Sequence, residues 1–269
     1  VLFQPWPMLK TTLRNAIPSR FQVPLKFFYS QARGWMEPEM LLLSKLVNAE
    51  DRVIDIGGNW GIYAYALSGL GSRLAVFEPN PQCFRALNCW ASGKKNVDVY
   101  AVALSSQHGQ GQLHIPVDAS GQEHDASASL DSRCGEATRC VEVEITTLDS
   151  FGFQDVKFIK IDVEGHELDA LKGATKTIAS SMPVMLIEIE QRHNTIDISK
   201  IFAFIFRLGY DGFYLDGKKL RSIDFFDVAR DQSTSSPASM GGRYINNFLF
   251  IPRDPARFTE LASRLPFAT

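Results

Sequence analysis

Residues 53–61 constrain the fold of this chain more than any other segment, because they read as a buried strand that enters a glycine turn. The segment is Val-Ile-Asp-Ile-Gly-Gly-Asn-Trp-Gly, and residues 62–67 after it have a helical composition. Gly57, Gly58 and Gly61 carry no side chain where the backbone must bend sharply or approach a ligand. A strand, a glycine turn and a helix in this order predict the opening of a nucleotide-type site in an open α/β sheet.

The overall composition is that of a globular protein with no bias towards a polyanionic partner. The 269 residues are 45% hydrophobic and 22% charged, and the formal net charge is −2. Proteins that bind nucleic acid through its phosphates usually carry a clear positive excess, so nucleic acid is not an expected partner. No apolar run is long enough to span a membrane and no secretory signal is recognisable, so we expect a cytoplasmic protein.

Apolar strands alternate with helical patterns from residue 37 onwards, which is typical of one α/β domain. Such strands form a mostly parallel sheet with helices on both faces. We therefore expect residues 37–269 to form this domain and residues 1–36 to be an N-terminal extension, of which residues 1–5 resemble the remnant of a protease cleavage site. The expected strands are residues 53–56, 73–78, 97–102, 156–162, 184–190, 212–215 and 247–251.

A long segment, about residues 105–147, interrupts this alternation between the third and fourth strands. It is rich in Gly, Ser, Asp and His, and it contains two strand-like runs, residues 111–116 and 141–146. We expect a hairpin-like insertion that leaves the sheet on its ligand-binding side. Segments of this length are more often binding loops or lids than simple connections.

Acidic residues stand at or near the ends of four expected strands, namely Asp55, Glu78, Asp162 and Glu188. In an open α/β sheet, ligands bind beyond the carboxyl ends of the strands. Glu78 follows the glycine turn by about 20 residues, the spacing at which a carboxylate accepts hydrogen bonds from a ribose diol. A single strand-end acid is more often a helix cap or a surface ion pair, but Asp55 and Glu78 together with the turn favour a ligand.

The glycine turn also discriminates between ligands. A dinucleotide site requires the pattern G-x-G-x-x-G, whereas this turn lacks the last glycine and has Asp55 in front of it. That carboxylate would repel a pyrophosphate and suits a cationic ligand such as S-adenosylmethionine, which carries an amino group, a sulfonium and a ribose. An NAD-type oxidoreductase and a non-catalytic binding module with the same fold are the alternatives.

The chain resembles the FkbM family of class I S-adenosylmethionine-dependent methyltransferases. The resemblance covers about residues 37–252, and the matching segments occur in the family's order. They are residues 53–61, 77–81, 101–105, 147–149, 160–167 and 171–173, Glu188, and residues 247–252. The resemblance implies a Rossmann-like, seven-stranded sheet whose last strand is antiparallel. It also implies O-methylation, often of sugar hydroxyls in glycans or metabolites.

The resemblance further implies a set of cofactor-binding residues. Those of the glycine turn would hold the methionine part, Glu78 the ribose, and the residues after the second and third strands the adenine. The whole set is Asp55, Gly57, Asn59, Gly61, Glu78, Asn80, Ala103, Leu104 and Asp162.

Three polar residues after the fourth strand are candidates for catalysis, namely Asp162, Glu164 and His166. An alkyl hydroxyl is a poor nucleophile until a base removes its proton. The imidazole of His166 titrates near neutrality, although a residue at the start of a helix equally serves as a cap or as packing. Glu164 and Asp162 could act as the base, accept hydrogen bonds from the substrate, or orient the histidine.

Two further residues are candidates for binding the acceptor. Glu188 ends the fifth strand, and His124 lies in the insertion on the ligand side of the sheet. Asp162, Glu164 and Glu188 could instead hold a divalent ion, since such ions prefer carboxylate oxygens. We favour a site without metal, because carboxylates also suit a sugar. Lys160 is expected to pair with an acid.

Overall fold

The computed structural model describes residues 17–117, 128–130, 138–233 and 244–268. The described residues form an eight-stranded sheet, a three-stranded sheet and nine α-helices. The strands are β1 (Arg52–Ile56), β2 (Arg73–Phe77), β3 (Val97–Tyr100), β4 (Val102–Leu104), β5 (Gly109–Pro116), β6 (Thr138–Thr146), β7 (Val156–Ile161), β8 (Val184–Glu188), β9 (Tyr210–Asp216), β10 (Lys219–Ser222) and β11 (Asn247–Pro252).

Two helices precede β1, the last helix follows β11, and the others lie between strands. The helices are α1 (Ser19–Ala32), α2 (Leu43–Leu46), α3 (Ile62–Gly69), α4 (Pro81–Ala91), α5 (Glu167–Lys172), α6 (Thr175–Ser181), α7 (Ser199–Arg207), α8 (Val228–Asp231) and α9 (Pro255–Ala262). A 3₁₀-helix, Pro38–Leu42, leads directly into α2. None of the helices among the described residues is both long and apolar enough to cross a bilayer.

The large sheet has the order β10-β9-β11-β8-β7-β1-β2-β3. The five strands from β8 to β3 run parallel, and β11 lies antiparallel to both β8 and β9. The expected α/β class with an antiparallel last strand is therefore confirmed. The eighth strand, β10, pairs with β9 as a hairpin. Its short sequence, Lys-Leu-Arg-Ser, has no periodicity that would predict a strand.

The third expected strand, residues 97–102, is divided between the two sheets. β3 pairs with β2 in the large sheet, but after Ala101 the chain turns away and β4 pairs with β6 in the small sheet. The two strand-like runs of the insertion form β5 and β6, which pair antiparallel. The small sheet therefore has the order β4-β6-β5 and begins where β3 ends.

Two hydrophobic layers enclose the large sheet, one on each face. Val53 of β1 packs into the layer that contains α1, α3 and α4, whereas Ile54 and Ile56 pack into the layer that contains α5, α6 and α7. This alternation is the period of two that a strand buried on both faces must show. Asp55 points to the same face as Val53, but beyond the end of the apolar layer, where the chain enters the glycine turn.

Gly57 allows the turn after β1 to lie against the end of β7. Its φ of +82° is in the left-handed region, and a Cβ atom built on it would lie 1.8 Å from the carbonyl oxygen of Asp162. A side chain at this position would therefore separate the two strand ends. The glycine thus brings the ends of β1 and β7 together at one edge of the sheet.

Candidate active site

A cavity opens at the carboxyl ends of β1, β2 and β7, beneath the small sheet. Its wall comes from the glycine turn, the ends of those strands, β4 and the segment after β7, and α1 contributes Lys26. The site therefore lies where an open α/β sheet binds its ligands.

Asp55 places a buried carboxylate in the wall of this cavity. The residue is 1% exposed, and its Oδ2 atom has no hydrogen-bond partner among the described residues. Burial raises the pKa of Asp55 to about 7, while the ammonium of Lys160 acts in the opposite direction. An unpartnered buried carboxylate oxygen is costly unless a donor meets it. A ligand ammonium group in the cavity would provide that donor.

Glu78 ends β2 and is fixed by two backbone amides. Its Oε2 accepts a hydrogen bond from the amide of Asn59 at 2.6 Å, and its Oε1 accepts one from the amide of Asn80 at 2.7 Å. A carboxylate offers about four lone-pair sites, so two such bonds leave acceptor capacity directed at the cavity. This arrangement can receive hydrogen bonds from a pair of hydroxyl groups.

Lys160 pairs with acids, as its sequence position predicts. Its buried Nζ atom lies 3.9 Å from Oδ2 of Asp162, donates to Oδ1 of Asn247 at 3.2 Å, and lies 5.0 Å from the ring centre of Tyr63. Burial alone would lower the pKa of Lys160, but the surrounding carboxyl groups of Asp162, Glu37 and Glu188 raise it above its ordinary value. The lysine therefore remains a fixed cation in the wall of the cavity.

Asp162 and Glu188 form a hydrogen-bonded carboxyl pair beside this lysine. Burial raises the pKa of both groups, and the nearby Glu37 adds to the effect, whereas Lys160 opposes it. Each carboxyl group opposes the ionisation of the other, because the doubly ionised pair is unfavourable. Asp162 lies in the cavity wall, while Glu188 supports it from behind and accepts from the side-chain amide of Asn246 at 2.7 Å.

Glu164 reaches the cavity from a strained turn and is held by a histidine. Its φ is +51°, and its Oε2 accepts a hydrogen bond from Nδ1 of His193 at 2.7 Å. Burial raises the pKa of Glu164, and the contact with His193 acts in the opposite direction. Gly165 makes the approach feasible, since a Cβ atom there would lie 2.1 Å from the carbonyl oxygen of His193.

His193 is in turn placed by a second acid on the other side of its ring. Its Nε2 lies 3.6 Å from Oε2 of Glu190. Glu190 is itself held by Arg192 and by the hydroxyl of Tyr244, and these contacts lower the pKa of Glu190 although burial favours its neutral form. Glu164, His193 and Glu190 therefore form one connected row that ends at the cavity.

His166 also lines the cavity and precedes the first residue of α5. Its Nε2 lies 2.9 Å from the hydroxyl oxygen of Ser105, so the ring is anchored at the start of the insertion. The neighbouring Glu167 has a structural role. Its carboxylate accepts from the amide of Gly165 and from the side chain of Asn194, and burial raises its pKa to about 7.

The structure brings together most of the residues that the sequence singles out. Those that line the cavity are Asp55, Gly57, Asn59, Glu78, Ala103, Leu104, Asp162, Glu164 and His166. Gly61, Asn80 and Glu188 are adjacent but are not part of the wall, and Asn80 caps α4 through the amide of Gln82 at 3.0 Å. His124 lies outside the described residues.

His193, Glu37 and Tyr63 take part in the site but were not predicted from the sequence. The hydroxyl of Tyr63 donates to Oε2 of Glu37 at 2.6 Å, next to Lys160. The only sequence signal for His193 is its position three residues after Glu190, in the loop that follows a buried strand. In the described part of the chain, no three His, Cys, Asp or Glu side chains are arranged to hold a metal ion.

Three known proteins are similar to this chain. The hexuronic acid methyltransferase AglP of Haloferax volcanii is 27% identical over 172 residues, which cover 64% of this chain and 69% of AglP. The crystal structure of methyltransferase FkbM from Methylobacillus flagellatus KT gives a TM-score of 0.49 at 16% identity, covering 91% of this chain and 58% of that one. A putative methyltransferase from Streptococcus mutans in complex with SAH gives a TM-score of 0.45 at 10% identity, covering 80% of this chain and 97% of that one.

The family described as Methyltransferase FkbM domain matches residues 55–211, more than half of the chain. The matched segment begins at Asp55, contains Glu78 and the three residues Asp162, Glu164 and His166, and ends in β9. The resemblance inferred from the sequence motifs is thereby confirmed. The chain belongs to the FkbM methyltransferase family.

Proposed function

We propose that the protein transfers a methyl group from S-adenosylmethionine to a hydroxyl group of a sugar, glycan or glycosylated metabolite. The observation that carries the cofactor assignment is the unpartnered, buried Oδ2 atom of Asp55 in the cavity wall. A ligand with an ammonium group satisfies this atom, whereas a pyrophosphate does not. The sugar acceptor is supported by the similarity to AglP, whose name describes a hexuronic acid methyltransferase.

The residues in the cavity suit the parts of this cofactor. In the proposal, Asp55, Gly57 and Asn59 hold the methionine part, and Glu78 accepts hydrogen bonds from the ribose. Ala103 and Leu104 of β4 supply an apolar wall for the adenine, together with Phe77, Val102 and Leu113. Gly61 and Asn80 act indirectly, by shaping the turn and capping α4.

Bound S-adenosylmethionine supplies a methyl group that is already activated by the sulfonium. The protein's own task is therefore to orient the acceptor hydroxyl and to accept its proton. We assign the proton acceptor to Glu164, because its carboxylate reaches the cavity and burial raises its pKa above the ordinary value. The proton moves from the acceptor oxygen to a carboxylate oxygen of Glu164, while His193 orients that carboxylate.

Asp162 and His166 have supporting roles in this scheme. In the proposal, Asp162 accepts a hydrogen bond from the acceptor, while Glu188, whose pKa is raised well above its ordinary value by burial and by Asp162, supports it. His166 is anchored by Ser105 at the entrance of the insertion and contacts the acceptor from the side opposite Glu164 in the proposal. If His166 is the base instead, His166→Ala will lower kcat more than Glu164→Gln does.

We retain a cytoplasmic location as part of the proposal.

A methyl-transfer screen read by mass spectrometry tests this function. The acceptor panel contains neutral sugars, hexuronic acids, sugar nucleotides, glycans and ribosomal RNA, each with and without EDTA. The proposal predicts a mass increase of one methyl group on a sugar-containing acceptor, insensitive to EDTA. Methylation confined to RNA would contradict the acceptor class. Oxidation of an acceptor with NAD would establish the oxidoreductase alternative, and cofactor binding without transfer to any acceptor would support the non-catalytic module.

A further inference from the structure

Helix α1 presents an apolar stripe to solvent on the face opposite the cavity. Phe21, Leu25 and Phe28 are spaced by four and three residues, so they lie on one side of the helix. They are 49%, 41% and 54% exposed, which makes them three of the most exposed large hydrophobic side chains among the described residues. We call these three residues the α1 stripe. The buried side of the helix contains Val23, which packs in the core, and Lys26, which lines the cavity.

The α1 stripe adjoins an aromatic row of the neighbouring helices, in which Tyr65 is partly buried and Trp90 is only 7% exposed. The rings of Phe28 and Tyr65 lie 5.7 Å apart, and those of Tyr65 and Trp90 lie 6.0 Å apart. Nζ of Lys94 lies 5.1 Å from the ring centre of Trp90, so the row ends in a cation. At the other end, the guanidinium of Arg20 lies 4.7 Å from the ring centre of Phe21. Apolar and aromatic side chains are therefore flanked by cations on both sides.

The two helices on this side of the protein, α1 and α4, contain basic residues and no acids. Residues 17–36, which include α1, contain Arg20, Lys26 and Arg33 but no aspartate or glutamate, although the whole chain has a net charge of −2. Arg20 and Arg33 are exposed, whereas Lys26 is buried. Residues 79–97, which include α4, contain three cations and likewise no acid. These cations, Arg85, Lys94 and Lys95, are all exposed. α4 packs beside α1, so the two acid-free segments adjoin.

Exposed aromatic and aliphatic side chains with flanking cations and no acids are the features of a helix that lies in a membrane interface. The apolar side chains enter the acyl boundary, the rings sit at the level of the headgroups, and the cations meet anionic lipids. α1 has 14 residues. A helix of that length rises about 21 Å, which suits lying on a bilayer rather than crossing its core of about 30 Å.

We propose that the α1 stripe, with the basic residues around it, binds the surface of an anionic membrane. The partner is a lipid surface rather than a single lipid, because the three side chains follow one another along the exposed side of α1. Bound in this way, the cavity lies about one helix diameter, roughly 10 Å, from the headgroups, since Lys26 lines the cavity from the opposite side of α1. This proposal does not depend on the identity of the acceptor.

Vesicle sedimentation with the full chain tests the proposal. Vesicles of phosphatidylcholine with about one third phosphatidylglycerol are compared with vesicles of phosphatidylcholine alone. We expect the protein to sediment with the anionic vesicles and to bind the neutral ones at least about tenfold more weakly. Binding to the anionic vesicles should decrease as the salt concentration rises from about 0.05 to 0.5 M. Absence of binding to anionic vesicles, or equal binding to both, would overturn the proposal.

Substitutions distinguish membrane binding through the α1 stripe from nonspecific adsorption of the protein to vesicles. The combined variant Phe21→Gln, Leu25→Gln and Phe28→Gln should bind anionic vesicles at least about tenfold more weakly, because the side chains that enter the lipid are lost. Phe225→Gln is the matched control, since Phe225 is 56% exposed but follows β10 at the far edge of the sheet. It should bind like the unchanged protein. Melting curves check that both variants remain folded.

Two other results would overturn the proposal. One is unchanged vesicle binding by the triple variant. The other is light scattering that finds a dimer of the unchanged protein and a monomer of the triple variant, because a second copy of the chain would then cover the α1 stripe.

The combined variant Lys94→Gln and Lys95→Gln tests the contribution of charge. It should weaken binding to anionic vesicles and leave the weak binding to neutral ones unchanged.

Discussion

At the scale of single residues, the carboxyl groups of the site differ in how burial and neighbouring charges set their protonation. Burial raises the pKa of Asp55 to about 7, whereas contacts with Arg192 and Tyr244 keep Glu190 ionised. Asp55 is thus costly to the free protein and becomes favourable when a cation meets it. A buried carboxylate with a raised pKa in a cavity wall is a candidate for ligand binding.

Replacing Asp55 by asparagine should therefore have opposite effects on binding and on stability. Asp55→Asn removes the charge that meets the ligand ammonium, and we expect the affinity for S-adenosylmethionine to fall at least about tenfold. It also removes a buried carboxylate without a partner, so the free protein should melt at the same or a higher temperature. Calorimetry and melting curves measure the two effects. An unchanged affinity would contradict the role given to Asp55.

The same pKa predicts how the stability of the free protein depends on pH. The pKa of Asp55 is 3.8 in an exposed chain and about 7 in the folded one, so the folded state binds the proton more tightly between these values. The free energy of unfolding should therefore decrease as the pH rises from about 4 to 7, with a contribution on the order of a few kcal/mol. Glu39 and Glu167, whose pKa burial also raises to about 7, act in the same direction. Denaturation of Asp55→Asn should give a shallower slope, and an equal slope would contradict this reading.

The assignment of the proton acceptor makes a further prediction. Glu164→Gln should retain cofactor binding and lower kcat by about 100-fold or more, because the proton of the acceptor then has no carboxylate to move to. His193→Asn keeps a donor close to the position of Nδ1, so its loss of kcat should be smaller than that of His193→Ala and its pH profile should shift. Steady-state kinetics with the acceptor found in the screen measure these values.

The control for these variants is His108→Ala. His108 bonds to Thr146 at 2.9 Å in the small sheet and does not line the cavity. Its kcat should stay within about twofold of the unchanged enzyme. If His166→Ala loses activity and Glu164→Gln does not, the base is His166 and the present assignment is wrong.

At the scale of elements, the sequence predicts best what local chemistry determines. The strand, glycine turn and helix at residues 53–69 lie within one or two residues of the expected positions, since only glycine tolerates the conformation at residue 57. The break at Ala101 was not predicted, because residues 97–102 are equally suited to one strand or two. Tertiary contacts determine the position of this break. Tyr100 stacks on Phe77 in the large sheet, with 4.9 Å between the ring centres, whereas Ala103 pairs with Ile145 in the small sheet.

The glycine turn can be tested as an element. Gly57→Ala places a Cβ atom 1.8 Å from the carbonyl oxygen of Asp162 in addition to forcing a φ of +82° on alanine. We expect a loss of stability of more than about 3 kcal/mol, together with loss of cofactor binding. Gly93→Ala is the matched control, because Gly93 has a φ of +86° and open space around it. It should lose only about 1–2 kcal/mol. Equal losses in urea denaturation would contradict the close approach of the two strand ends.

At the scale of the whole molecule, the cavity residues at and just after the strand ends were predictable, whereas those that converge through tertiary packing were not. Asp55, Glu78 and Asp162 follow directly from strand ends, which the order of a parallel sheet brings to one edge. His193, Glu37 and Tyr63 come from a loop and two helical segments, and they converge only through tertiary packing. No periodicity or spacing connects residue 37 with residue 193. The helical spacing of the α1 stripe, in contrast, is visible in the sequence. Its proposed role also depends on the acid-free helix α4, which packs beside α1 in the fold.

Titration calorimetry of the full chain with S-adenosylmethionine, S-adenosylhomocysteine and NAD tests the central claim most directly. Both sulfur compounds share the amino group and the ribose that Asp55 and Glu78 are proposed to hold, whereas NAD carries a pyrophosphate. We predict binding of both sulfur compounds at one site per chain and no heat from NAD. Binding of NAD, without binding of either sulfur compound, would contradict the account of the cavity.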